Sequence, residues 1–236
     1  RGVRGDHKGS EMNIYRLKER LKERTRRGFY LLMKPIVILL TRLRVHPNAL
    51  TVMGFLVTLI AAWLYLSHPL WMGGLVLLAG GLFDTFDGQV ARFSGKKSRF
   101  GAVLDSVMDR LTEFAVFCAL LWRFKEVPWQ FIVIASAMAA SIMVSYTRAR
   151  GEGVMREGKP TRETKNLMRS LKSGPMSRPI RYFYIIIASF ISTSSPFWFI
   201  LLMIPFNLLT WFTVAWRCKE LYTLLSPLPG DKERRK

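Results

Sequence analysis

Residues 69–93 read PLWMGGLVLLAGGLFDTFDGQVARF, and this stretch decides the fold class of the chain. Its first fifteen residues are almost wholly apolar, whereas Asp84, Asp87 and Arg92 all lie within the last ten. A helix that crosses the hydrocarbon core of a bilayer needs roughly 20 residues, so the stretch is long enough to span a membrane. Ionisable residues are rare in such helices and mark functional positions, so the polar end of this one is a candidate site.

Five further stretches have a comparable apolar character. They are residues 47–66, 101–122, 128–147, 179–194 and 197–216. The sequence therefore predicts an all-α polytopic membrane protein in which six transmembrane helices surround a polar cavity. Ahead of them, residues 12–44 mix Leu with Lys, Glu and Arg, which favours a basic amphipathic helix at the membrane surface, with an ordinary solvated helix as the alternative.

The distribution of basic residues predicts the orientation. The 236 residues include 36 Lys and Arg against 16 Asp and Glu, but 50% of them are hydrophobic, which argues against a nucleic-acid partner and against a disordered basic chain. Thirteen basic residues precede residue 45, and most of the others lie within 92–110, within 148–181 or from 217 onward. With six spans these groups fall on one side, so the positive-inside rule places both termini and the cavity at the cytoplasmic face of the cytoplasmic membrane.

The same features divide the chain into four parts. We expect residues 1–11 to be a disordered leader or an expression remnant and residues 12–44 to form the juxtamembrane helix. Residues 45–217 would form the six-span functional domain, and residues 218–236 a basic cytoplasmic tail.

Four aspartates lie in the predicted second and third spans, where acids are not expected. Asp84 and Asp87 are three residues apart, and Asp105 and Asp109 are four apart, so each pair lies on one face of its helix. A carboxylate at the centre of a membrane helix costs about 2.5–3.5 kcal/mol, so basic partners or bound cations must offset the cost. Carboxylate oxygens suit Mg²⁺, Mn²⁺ or Ca²⁺ rather than zinc, which indicates a site for a divalent cation and a phosphate-bearing ligand.

The aspartates belong to a longer pattern of spaced residues. Its members are Asp84, Asp87, Gly88, Ala91 and Arg92, then, after eight residues, Gly101, Asp105 and Asp109. This pattern resembles the signature of the CDP-alcohol phosphatidyltransferases, and all eight fixed positions are filled. The resemblance covers residues 29–217 and implies a helical membrane enzyme of phospholipid biosynthesis that forms a homodimer.

The resemblance also implies a reaction and roles for individual residues. A CDP-activated lipid such as CDP-diacylglycerol meets an alcohol, a phosphodiester forms and CMP leaves. Asp84, Asp87 and Asp105 would chiefly bind two Mg²⁺ or Mn²⁺ ions, and Asp109 would act as the general base while also touching metal. The residues implied for the CDP-lipid are Asn48, Thr51, Asp84, Gly88, Ala91, Arg92 and Gly101. Asn48 is alternatively, or in addition, the N-cap of the first span.

Four arginines indicate that the acceptor alcohol carries its own phosphate. They close the fourth span and open the fifth, and they are Arg148, Arg150, Arg178 and Arg181. Both segments resemble those of phosphatidylinositol-phosphate and archaetidylinositol-phosphate synthases, which use inositol phosphate, although Ile180 replaces a Glu and Arg148 a Lys of the related pattern. Glycerol 3-phosphate would need the same arginines, and the positive-inside rule alone also accounts for them.

A divalent-cation transporter is the alternative of another class, because it too would place carboxylates in a membrane. Such a protein needs acids along a path to both sides of the bilayer. Here Glu126 is the only acid on the predicted outer side, which favours the transferase.

Overall fold

A computed structural model of the protein describes residues 33–157, 168, 171 and 174–225. This part of the chain contains six helices of 14 to 30 residues and no β-strand, which confirms the all-α prediction. The helices are α1 (Pro47–Ser67), α2 (Leu70–Phe93), α3 (Arg99–Arg123), α4 (Pro128–Glu157), α5 (Arg178–Ile191) and α6 (Pro196–Leu225). They occupy the six stretches that the sequence predicts.

Four of these helices are long and apolar enough to cross a bilayer, namely α1, α2, α4 and α6. Helix α3 is too polar to qualify, and α5 is only 14 residues long. Large apolar side chains are exposed on the outer surface, including Trp63, Leu208 and Phe212. An apolar exterior of this extent is typical of a protein whose surroundings are lipid.

Two helices extend beyond the predicted apolar stretches. Helix α4 continues to Glu157 and α6 to Leu225, which carries α6 into the predicted C-terminal tail. Polar residues can prolong a helix when they pair along its surface, and Arg148 pairs with Glu152 one turn later at 3.0 Å. Hydropathy marks only the apolar part of such a helix, so it underestimates the helix length.

The predicted juxtamembrane segment lies mostly outside the described residues. Residues 33–42 are helical, and Val37 is buried there against Leu50 of α1 and Val90 of α2. The predicted leader 1–11 and the end of the tail, residues 226–236, also lie outside the described part of the chain.

The helices pack as two groups, which are joined by α5 and by a contact between α3 and α4. Helix α1 lies along α2 and α3, α4 lies along α6, and α5 contacts both α2 and α6. Glycines bring α1 and α2 close together, since a Cβ atom at position 80 would lie 2.6 Å from Thr58 Oγ1. Small residues at such crossings let helix backbones approach in a membrane protein. The tight α1–α2 contact positions the polar end of α2 beside α1.

Caps at the helix ends hold the polar ends of α1, α2 and α3 together. Gly95 follows the C-cap of α2 with φ of +67°, a left-handed conformation that glycine adopts without strain. Ser98 then caps α3 by accepting a hydrogen bond from the Gly101 N–H at 2.8 Å. The N-cap of α1 is His46, whose Nδ1 accepts from the Asn48 N–H, so the prediction that Asn48 caps this helix is wrong. The side chain of Asn48 instead lies beside Gly101, where its Oδ1 atom would be 3.1 Å from a Cβ atom at position 101.

Candidate active site

Three of the four aspartates form one acidic cluster. Asp84 of α2 and Asp105 and Asp109 of α3 each offer a carboxylate oxygen, and these oxygens lie within 4.8 Å of one another. All three side chains are partly buried. Separations of this size allow one small cation to contact all three groups, and hard oxygen donors suit Mg²⁺ or Mn²⁺.

The fourth aspartate is held beside the cluster by a hydrogen bond from α1. Asp87 is 6% exposed, and its Oδ2 accepts a 2.5 Å hydrogen bond from Thr51 Oγ1. The family resemblance implies only a nucleotide contact for Thr51. The structure adds a second role for Thr51, because its hydroxyl orients a carboxylate of the site.

A guanidinium group forms ion pairs with two members of the acidic cluster. Arg178, at the start of α5, has its Nη1 atom 2.6 Å from Asp109 Oδ1 and 3.3 Å from Asp84 Oδ1. The sequence suggested that Arg178 binds an acceptor phosphate. In this structure its guanidinium contacts these carboxylates and offsets part of the repulsion between them.

A cavity of about 520 Å³ opens on one side of the cluster, and we name it the glycine cavity. Seven residues are predicted to bind the CDP-lipid, and six of them line this cavity. The six are Asn48, Thr51, Gly88, Ala91, Arg92 and Gly101. Asp87 and Asp105 line it as well, whereas Asp84 lies at a small neighbouring pocket between α1, α2, α3 and α5. The α2–α3 connection adds Lys96 and Lys97, and the first residue of α3 adds Arg99. Sequence reasoning missed these three residues although they lie between the two halves of the aspartate pattern.

The two glycines of this cavity have different roles. A Cβ atom at position 88 would meet nothing closer than Arg92 Nη2 at 4.0 Å, so Gly88 faces open space that a ligand can enter. A Cβ atom at position 101 would lie 2.9 Å from Ser98 Oγ and 3.1 Å from Asn48 Oδ1. A side chain at position 101 would therefore displace the capping hydroxyl of Ser98 and the side chain of Asn48 at the N-terminus of α3.

A second cavity, of about 470 Å³, opens on the other side of the cluster, and we name it the arginine cavity. Asp105 and Asp109 line it together with Arg148, Arg178 and Arg181. Arg150 is exposed and does not contribute to its wall. Asp105 lines both cavities, so the cluster lies at the boundary between them.

All three predicted arginines that line this cavity are paired with carboxylates. Arg181 is 1% exposed and donates from Nε and Nη2 to Glu113 at 2.8 and 3.0 Å. It also donates to the Met176 carbonyl and the Ser145 hydroxyl, so its guanidinium is almost fully used inside the protein. Sequence reasoning missed Glu113, although it follows Asp109 by four residues and extends the acidic stripe of α3.

The fold and the site together define a helical membrane protein with an acidic cluster, of a chemistry that suits divalent cations, between two polar cavities. Residues 44–217 match the CDP-alcohol phosphatidyltransferase family, and the chain belongs to that family.

Similar proteins include several synthases of inositol-containing lipids. The archaetidylinositol phosphate synthase of Pyrococcus horikoshii is 39% identical over 114 residues, which are 48% of this chain and 58% of that protein. The phosphatidylinositol phosphate synthase of Corynebacterium glutamicum is 37% identical over 134 residues, 54% of this chain and 60% of that protein. The chain thus spans less than two thirds of the length of the curated relatives that it matches.

The fold is also similar to solved structures. The crystal structure of Mycobacterium tuberculosis phosphatidylinositol phosphate synthase with CDP-DAG bound aligns with a TM-score of 0.69 and 26% identity. The alignment covers 82% of this chain and 96% of that one. Another crystal structure of the same enzyme, in complex with manganese and citrate, has the same TM-score.

Proposed function

We propose that this protein transfers a phosphatidyl-type group from a CDP-activated lipid to the hydroxyl group of a polar alcohol and releases CMP. The observation that carries the proposal is the position of the acidic cluster, which borders two cavities that share Asp105. Such an arrangement suits a reaction between two substrates that enter from different sides. Membership of the CDP-alcohol phosphatidyltransferase family supports the same reaction.

The glycine cavity is the proposed site for the CDP-lipid. Gly88 leaves space for the nucleotide, and Arg92 with the lysines of the α2–α3 connection supplies positive charge for the diphosphate. Asp84, Asp87, Asp105 and Asp109 would hold two Mg²⁺ or Mn²⁺ ions. When bound, these ions neutralise the diphosphate and stabilise the departing CMP.

The arginine cavity is the proposed site for the acceptor, and Asp109 is the proposed general base. Asp109 lines the arginine cavity but not the glycine cavity, so its carboxylate lies on the acceptor side. It takes the proton of the acceptor hydroxyl as that oxygen bonds to the lipid-side phosphorus. The bond from this phosphorus to the oxygen of CMP breaks, and CMP keeps the electron pair.

Inositol phosphate is the proposed acceptor. A cavity with several arginines and a volume of about 470 Å³ suits a compact polyol phosphate, and the relatives described above are named for inositol-phosphate lipids. Arg148 and Arg178 are the proposed phosphate contacts, with Arg181 holding the wall of the cavity. Arg178 would leave the carboxylates as cations bind there.

The proposed topology has six transmembrane helices with both termini and both cavities at the cytoplasmic face. The distribution of basic residues supports it, because Arg123 and Lys125 are the only two of the 36 Lys and Arg on the side of Glu126. In intact cells, a membrane-impermeant maleimide should label Glu126→Cys and spare Lys97→Cys. The reverse labelling would contradict the orientation. From the family resemblance we also propose that the protein forms a homodimer. Native mass spectrometry in detergent measures the oligomeric state.

A CMP-release assay tests the proposed reaction. The purified protein is given Mn²⁺ or Mg²⁺, CDP-diacylglycerol and, in separate reactions, inositol phosphate, glycerol 3-phosphate, inositol or serine. We expect CMP release with inositol phosphate and a loss of about 10²- to 10⁴-fold in the Asp109→Asn variant. Absence of CMP with every acceptor would refute the reaction, CMP with glycerol 3-phosphate alone would refute the acceptor, and full turnover by Asp109→Asn would refute the base.

A further inference from the structure

A small pocket adjoins the acidic cluster on the side of the apolar halves of the helices, and we name it the threonine pocket. Its volume is about 20 Å³, and its wall includes Asp84 and Asp109 together with Thr58, Thr112 and Tyr182. Asp105, the third member of the cluster, does not line it. A water molecule needs at least about 10–15 Å³, so the pocket has room for one water but for neither substrate.

Thr112 of α3 carries a buried hydroxyl group that has no hydrogen-bond partner among the described residues. Its side chain lines the threonine pocket and is 6% exposed. Four other threonines are comparably buried, and each of them donates a hydrogen bond. The acceptors are Asp87 for Thr51 and the carbonyl four residues earlier for Thr58, Thr210 and Thr213. Because a buried hydroxyl without a partner is unfavourable, a molecule in the pocket would stabilise Thr112.

Two other hydroxyl groups of the pocket have already used their hydrogen atoms. Thr58 Oγ1 donates to the Gly54 carbonyl at 2.9 Å, and the Tyr182 hydroxyl donates to the Leu77 carbonyl at 3.0 Å. Both oxygens lie beside Gly80, since a Cβ atom there would be 2.6 Å from the threonine oxygen and 3.5 Å from the tyrosine oxygen. Hydroxyl oxygens of this kind can still accept. The pocket therefore offers two acceptors and one free donor.

A water molecule matches these groups and leaves one of its lone pairs unused. It can donate to the Thr58 and Tyr182 oxygens and accept from the Thr112 hydroxyl. Its second lone pair is then available to a cation at the acidic cluster, because Asp84 and Asp109 line the same pocket. Mg²⁺ usually keeps several waters when carboxylates bind it, and Mn²⁺ also prefers oxygen ligands. The side chains of the pocket thus fit a water that is bound to a divalent cation.

We propose that the threonine pocket holds a water ligand of the divalent cation and that Thr112 is a positioning residue that fixes this water. The proposal deepens the proposed function, because it rests on cation binding by the acidic cluster. Thr112 lines neither the glycine cavity nor the arginine cavity, so it contacts neither substrate and acts through the water alone. Residues that hold the ligands of a metal typically contribute about 10- to 100-fold to its affinity.

The test compares hydroxyl-free and hydroxyl-bearing residues at position 112. Thr112→Val keeps the side-chain shape and removes the hydroxyl, Thr112→Ala is a second hydroxyl-free variant, and Thr112→Ser retains the donor. The matched control is Thr210→Val, because Thr210 is also buried in a helix, bonds only to the Phe206 carbonyl and lines none of the three cavities described. Calorimetric titration with Mn²⁺ alone, in detergent and without substrates, measures the Kd. Electron paramagnetic resonance in ¹⁷O-labelled water counts the waters on bound Mn²⁺, and thermal unfolding monitors the fold.

Loss of the water-fixing hydroxyl predicts that Thr112→Val and Thr112→Ala raise the Kd for Mn²⁺ by about tenfold. The bound Mn²⁺ should also show a weaker ¹⁷O signal, because one of its waters is no longer held in place. Thr112→Ser should bind Mn²⁺ within about twofold of the wild type, since the donor is retained. Thr210→Val should change neither the Kd nor the ¹⁷O signal.

Other outcomes overturn the proposal. An unchanged Kd in Thr112→Val would show that any water in the pocket does not contact the cation. Equal impairment of Thr112→Val and Thr112→Ser, or failure of both hydroxyl-free variants to fold while Thr112→Ser folds, would show that the residue is structural. A wild-type protein that binds Mn²⁺ but releases no CMP with any acceptor would refute the proposed reaction, and the Mn²⁺ titrations would still decide the role of Thr112.

Discussion

Replacing Arg181 by Met should destabilise the protein strongly while altering the acceptor site only indirectly. The variant leaves Glu113, which is 11% exposed, without its bidentate partner in a protein interior. Removing one member of a buried ion pair costs about 3–5 kcal/mol. For a chain of this size, each kcal/mol shifts the unfolding temperature by about 2–4 °C, so a decrease of roughly 6–20 °C is expected.

A double variant shows whether the unpaired charge causes this loss. Arg181→Met combined with Glu113→Leu removes both charges and keeps an apolar volume in their place. Such replacements are often neutral or stabilising, so the double variant should recover most of the lost unfolding temperature. Unfolding in detergent, followed by tryptophan fluorescence, measures all four members of the cycle.

The result also decides between two roles for Arg181. A structural role predicts a large fall in unfolding temperature that the second substitution reverses. A direct contact with the acceptor phosphate predicts instead a raised acceptor KM with little change in stability. An Arg181→Met variant that unfolds within about 2 °C of the wild type would refute the reasoning from the Glu113 pair.

Three further predictions concern the glycine cavity and the acidic cluster. Thr51→Val removes the hydrogen bond to Asp87, so the KM for CDP-diacylglycerol should rise about tenfold, while Thr51→Ser retains the hydroxyl and should change little. Equal KM values for these two variants would show that the hydroxyl is dispensable. Gly101→Val should abolish CDP-lipid binding in a calorimetric titration, since a Cβ atom there already lies 3.1 Å from Asn48 Oδ1. Gly153→Ala is its control, because a Cβ atom at that position meets nothing within 4 Å, and unimpaired binding by Gly101→Val would contradict the steric argument. Chelation by EDTA should stop CMP release, and added Mn²⁺ should restore it; release that continues in EDTA would exclude a metal requirement.

The sequence predicts the helices well because their signal is local. Each of the six apolar stretches becomes a helix, and the ends that were missed are those where polar residues prolong α4 and α6 beyond the apolar pattern. The aspartate pattern is local in the same sense, since spacings of three and four residues along a helix place side chains on one face. These features require no knowledge of how the helices pack.

The partners of the charged groups could not be predicted in this way. Arg181 is 68 residues from Glu113, and Arg178 is 94 residues from Asp84. No periodicity relates residues on different helices. The sequence therefore predicts one shared role, contact with the acceptor phosphate, for all four arginines because they carry the same charge. The tertiary structure separates these four arginines: Arg178 contacts the acidic cluster, Arg181 pairs with Glu113 and Arg148 pairs with Glu152, whereas Arg150 is exposed.

The contact of Arg178 with Asp84 and Asp109 bears on how the protein is made. Carboxylates that enter a membrane together repel one another, and a cluster that depended on bound ions would be unstable until they arrived. Because Arg178 belongs to the same chain, it supplies a counter-charge as soon as α5 packs against α2. Assembly of the helices and binding of divalent ions can then be separate events, and an ion that binds the assembled site would displace the Arg178 guanidinium from the carboxylates.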